Sequence, residues 1–104
     1  MVRDDLVINH SPLLRQLMIL SHLAIQWGAY ADELAEKFGV GVATIKRDIA
    51  DCRHYGAEII ADRNGGYRLM NWETIRPTVR KWRALEQQRV KQIERGLNPR
   101  ASGS

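Results

Sequence analysis

Thr44, Lys46 and Arg47 sit close together in a segment, Val42 to Arg53, whose apolar residues Val42, Ile45, Ile49 and Cys52 are spaced three, four and three apart. That spacing gathers the apolar side chains on one inward stripe of a helix and turns Ala43, Thr44, Lys46, Arg47 and Ala50 outward. The chemistry open to such a face is recognition rather than bond-making. A guanidinium, an ammonium and a hydroxyl, with small alanines between them, suit base edges and phosphates. Arg47 is the better candidate for a guanine edge or a bidentate phosphate grip, and Lys46 for a simple phosphate contact.

A second group of the same kind follows. Arg63 and Asn64 stand at the tip of the loop Asp62-Arg63-Asn64-Gly65-Gly66, between the strand-like runs Glu58 to Ala61 and Tyr67 to Leu69. An Asn-Gly-Gly loop between period-two runs is a hairpin signal. A hairpin directly after a helix with a cationic face is a wing, able to touch the minor groove or the phosphates. Arg68 either adds to that contact from its strand or faces solvent.

Bond-making chemistry finds little support. His10, His22 and His54 lie on unlike segments, and Cys52 with His54 is a single Cys-x-His pair, short of a four-ligand zinc site. Asp48 and Asp51 share the cationic helix, where they are expected to orient Arg47 or Lys46 rather than to act as acid and base. Gly65-Gly66 belongs to a hairpin and does not precede a helix, so it is no phosphate loop. We expect no catalytic residues, no metal site and no cofactor.

The elements that must hold these side chains are legible around them. Leu34, Ala35 and Phe38 make a short amphipathic helix after Tyr30, and Gly39 is its C-terminal stop. Gly41 precedes the cationic helix, and Ala31 stands as the cap of the shorter one. Upstream, Ser11 is an N-cap and Pro12 a first helical residue, opening a helix that runs to about Gln26. Leu13, Leu14, Leu17, Leu20, Ala24 and Ile25 form its main stripe. Met18, Ile19 and Leu23 widen it enough for two packing partners.

The expected fold class is mainly α with a small β-hairpin: a winged helix-turn-helix plus a C-terminal helix. Residues 1–10 form a leader, 11–70 the winged domain, 71–97 a helical extension and 98–104 a disordered tail. The 104 residues carry a net charge of +4, and the balance is uneven. Residues 1–70 hold eight Lys or Arg against nine Asp or Glu, and residues 71–104 hold eight against three. A basic tail favours an anionic partner, nucleic acid first. No apolar run approaches the roughly 20 residues that span a bilayer, and the amino terminus lacks a signal-peptide layout. The expectation is a cytoplasmic protein of bacterial, phage or mobile-element origin.

LAEKFGV, TIKRDI, GAEI and NGGYRL, in that order between about residues 13 and 69, resemble the winged helix-turn-helix domain of DeoR-type regulators and of biotin-repressor-like proteins. The resemblance implies double-stranded DNA as partner, with Val42–Arg53 as the recognition helix. It departs at the caps, where the family usually carries Ser or Thr. It departs again after Leu69, where no room remains for a sugar-phosphate-sensing domain, so no small-molecule effector is expected. Two other readings of the same scaffold are an architectural or recombination accessory protein and a protein-interaction module.

The extension has Asn71 as an N-cap and Trp72, Ile75, Val79 and Trp82 on one stripe, which falters at Glu86 and resumes at Val90, Ile93 and Leu97. Pro77 predicts either a break before it or a place in a first helical turn, and the preferred helix runs from about Arg76 to Arg95. Its stripe either folds back on Ile19 and Leu23 or pairs with the same helix of a second subunit. Homodimerisation through Ile75, Val79, Trp82, Val90 and Ile93 is the preferred alternative.

Overall fold

The computed structural model describes residues 11–96. Ser11 opens α1 (Pro12–Ile25): its Oγ accepts the Leu14 amide at 3.0 Å, and Pro12 gives up no helical hydrogen bond at that position. Then come α2 (Ala31–Phe38), α3 (Val42–His54), the strands β1 (Ile59–Ala61) and β2 (Tyr67–Leu69), and α4 (Trp72–Gly96). The expected class holds: a mainly helical chain with one two-stranded antiparallel hairpin.

The breadth of the apolar surface on α1 has a direct cause, since α1 packs against α3, β2 and α4. Leu17, Ile19, Leu20 and Leu23 share one core with Leu34 and Phe38 of α2, Ile45, Ile49 and Cys52 of α3, Ile59 and Leu69 of the hairpin, and Val79 of α4. Ile25, assigned above to the stripe, is 87% exposed at the end of α1, because the helix stops there and the chain turns away.

Between α2 and α3 the chain needs only three residues. Gly39 adopts φ 69°, its amide reaches the Glu36 carbonyl, and the Val40 amide reaches that of Ala35 at 3.0 Å. This is the Schellman closure, which glycine enters without a Cβ penalty. Tyr30, not Ala31, is the N-cap of α2. The Glu33 carboxylate reaches back to the Tyr30 amide at 3.1 Å, so the missing serine is partly replaced from inside the first turn.

The hairpin pairs Ile59 with Leu69, Ile60 with Arg68 and Ala61 with Tyr67. Asp62 organises its loop: Oδ1 accepts the amides of Asn64 and Gly66, both at 2.9 Å. The hairpin is docked to the segment ahead of α2, since the Tyr67 amide bonds the Ala29 carbonyl at 2.6 Å. Gly66 makes that docking possible, because a Cβ there would lie 2.7 Å from the Gly28 carbonyl oxygen. We expect Gly66→Ala to cost about 1–3 kcal/mol by forcing this backbone apart. Urea unfolding of the two proteins measures it, and an unchanged midpoint would show that the approach is not tight.

α4 corrects both expectations for Pro77, a break before it or a place in the first turn. The helix begins at Trp72 rather than Arg76 and carries Pro77 in its interior. Proline removes one hydrogen bond there, the one Glu73 would accept. Trp72, Ile75 and Val79, packed against the core on both sides of Pro77, hold the helix across the gap. Asn71 fastens its start differently from a side-chain cap: Oδ1 accepts the Glu58 amide at 2.8 Å and Nδ2 donates to the Gly56 carbonyl at 2.9 Å. Glu86, where the stripe appeared to falter, is buried and accepts the Ser11 hydroxyl while Arg89 grips it at 2.7 and 2.8 Å. Those partners hold its carboxyl below the ordinary glutamate range, Arg89 first.

Candidate nucleic-acid interface

α3 is set by a polar lock rather than by apolar packing alone. Arg15 of α1 donates from Nε to Asp48 Oδ2 at 2.6 Å and from a terminal nitrogen to Oδ1 at 3.0 Å, in bidentate geometry. Gln16 Nε2 adds bonds to Asp48 at 3.1 Å and Asp51 at 3.0 Å. The Asp48 side chain is only 2% exposed. This overturns the expectation that Asp48 and Asp51 orient Lys46 or Arg47. An aspartate between Ile45, Ile49 and Cys52 on the inward stripe lies nearer α1 than the outward cations.

With both carboxylates engaged by α1, the outward face keeps its charge. Ala43, Arg47, Ala50 and His54 recur at helical spacing, and all are exposed. Arg47 stands at the centre of that line with an alanine one turn to either side. Lys46 is exposed at one edge, and Thr44 is half-buried at the other. His54 extends this line beyond the cations named from sequence, and its i+7 spacing from Arg47 is the signal that places it. Val42, expected inward, is 40% exposed, because the first turn of α3 extends beyond the core.

The start of α3 is also open. Gly41 supplies no side-chain cap and the first turn holds no acidic residue, so its positive end and free amides face outward. Such a terminus accepts a phosphate oxygen readily.

In the wing, Arg63 and Asn64 are exposed at the tip. Arg68 is neither a free strand cation nor a tip residue. Its guanidinium lies 5.0 Å from the Trp27 ring centroid and 3.6 Å from Asp62, which makes it a strut of the hairpin.

These two surfaces stand on one frame: an α2-turn-α3 pair braced by α1, followed by a docked hairpin. A family model described as an HTH domain, a helix-turn-helix, matches residues 15–68. The chain belongs to that family. No curated protein and no solved structure matches it. The match covers the Arg15–Asp48 lock, both helices of the helix-turn-helix and the wing through Arg68, and it ends before α4.

Burial, reinforced by the negative Asp48 and Asp51, pushes the Cys52 thiol up to about 12, so it is neutral and inert at ordinary pH. Among the described residues no group of three or more His, Cys, Asp or Glu side chains is placed to hold a metal ion, and no helix is long and apolar enough to cross a membrane.

The proposed dimer contacts separate into three kinds. Val79 and Val90 are buried within the chain itself and are not available to a partner, and Ile75 packs partly against the core. Trp82 is 49% exposed. Ile93, the leader 1–10 and the tail 98–104 lie outside the residues whose side chains are described.

Proposed function

We propose that the protein is a sequence-specific double-stranded DNA-binding regulator of transcription. In this reading α3 enters the major groove and the hairpin reaches phosphates or the minor groove beside it. The observation that carries it is the exposed Ala43–Arg47–Ala50 line of α3, with its carboxylates drawn to the opposite face by Arg15 and Gln16. Arg47 reads a base, Lys46 and Arg63 hold phosphates, Thr44 and Asn64 add polar contacts, and the α3 amides meet the backbone. Arg68 contributes indirectly, by stiffening the wing. DNA itself fits the family, and the DeoR-like or biotin-repressor-like character rests on the motifs quoted above.

The active form in this reading is a homodimer. Trp82 and Leu85, one turn apart on α4 and 49% and 56% exposed, supply the pairing face in place of the buried Val79 and Val90. Half-sites would then lie about one helical turn, or a multiple of it, apart.

Selection of bound duplexes from a random pool tests the proposal. The expected result is a recurring motif, and a pool that stays random would refute sequence-specific binding. On the selected duplex, Arg63→Ala should make the salt dependence shallower by about one phosphate contact, a slope change near 0.9. An unchanged slope removes Arg63 from the interface.

A further inference from the structure

α4 carries a cationic stripe that the helix-turn-helix reading does not use. Arg76, Arg80, Arg83 and Lys91 fall within about 80° of one another around the helix and span about 22 Å along it. Arg80 and Lys91 are exposed, and Arg76 and Arg83 are half-buried. By helical spacing Glu73 and Glu94 fall on the same face, so the stripe keeps a net positive charge of two. Glu73 is 3.6 Å from Arg76 at the exposed start of the helix, and Glu86 is buried under Arg89 on another side. Among the described residues, no carboxylate lies within ion-pair distance of Arg80, Arg83 or Lys91.

The position of this stripe matters as much as its charge. α3 and α4 both pack on α1 but make little contact with each other. The side chains of α1 that reach α3 are Arg15 and Gln16, whereas Ser11 reaches Glu86 of α4. α3 and α4 are therefore held by different residues of α1 and barely touch each other. Trp82 and Leu85 lie on roughly the opposite side of α4 from the stripe, so pairing through them leaves the stripe open.

We propose that the α4 stripe is a second DNA-backbone contact, which holds a duplex other than the one that α3 reads. A row of guanidinium and ammonium groups along one helix matches the closely spaced phosphates of a duplex without reading its sequence. Two such faces on one small protein make it a bridge between DNA segments. The proposal rests on DNA binding by α3 and adds a second duplex to it.

A two-duplex capture assay tests it, using one bead-tethered and one fluorescent duplex of unrelated sequence. The wild-type protein should carry the fluorescent duplex to the beads, and the Arg80→Gln/Lys91→Gln variant should lose most of that capture. The salt slope of capture should become shallower by about two phosphates' worth. Affinity of the variant for a single selected duplex should stay within about twofold, because α3 is untouched. Three results overturn the inference. In the first, wild-type protein binds single duplexes without capturing a second, which leaves the DNA-binding reading standing. In the second, the variant captures as well as wild type, which assigns bridging to paired α3 helices. In the third, the variant loses affinity for the single duplex, which places the stripe in the same interface as α3. If the wild type binds no duplex at all, both readings fall together.

Discussion

Asp48→Ala should destabilise the protein by about 3–5 kcal/mol, because it leaves the Arg15 guanidinium buried beside α3 without its counter-charge. For a domain of this size that is a fall in melting temperature of at least about 12 °C, and a large share of the whole folding free energy. Thermal unfolding followed by circular dichroism measures it. A paired replacement, Arg15→Met with Asp48→Leu, should recover most of the loss, since well-packed apolar side chains often match or exceed a buried ion pair. Gln16 would still reach Asp51, so one polar tie between α1 and α3 would remain. A loss below about 1 kcal/mol in the single variant would mean that the pair is solvated and is not the lock described above.

Arg47→Ala should leave stability almost unchanged, since the side chain is exposed on α3. Affinity for the selected duplex should fall by about 1–3 kcal/mol, and discrimination at one base pair should relax. Lys46→Ala provides the contrast. It should weaken binding uniformly across sequences and lower the salt slope by about one phosphate contact. Fluorescence anisotropy against the selected duplex and its single-base variants separates the two. Equal losses on every variant duplex would reassign Arg47 to the phosphates.

The residues that were legible in the sequence are those that obey a period. Ile45, Ile49 and Cys52 recur at helical spacing and are buried, and Asn64-Gly65-Gly66 between two alternating runs marks the hairpin. Gly39 announces the turn because its left-handed backbone is cheap for glycine alone. The Arg15–Asp48 pair escaped notice for the opposite reason. Charged residues read as surface, and the partners lie 33 positions apart on helices whose relative rotation no local pattern specifies. Pro77 misled for a related reason: its local cost was visible, whereas the packing of Trp72, Ile75 and Val79 that outweighs it was not. Arg68 and Asn71 looked like a strand cation and a cap, and their actual partners, Trp27, Gly56 and Glu58, became apparent only once the hairpin was docked. In the candidate interface, the outward face of α3 could be drawn from spacing alone. Which carboxylates would leave that face could not.

The bond from Ser11 to Glu86 spans 75 positions, and it has a bearing on how the chain is made. During synthesis α1 leaves the ribosome with its cap hydroxyl unpaired by Glu86, and the flank of α1 that α4 covers stays bare until α4 emerges. The helix-turn-helix and its wing are complete in sequence well before then. A nascent chain halted after Leu69 would thus hold every proposed DNA-reading residue while still exposing the surface that α4 covers. Competence to touch DNA and protection from aggregation arrive at different moments, and the second waits for the far end of α4.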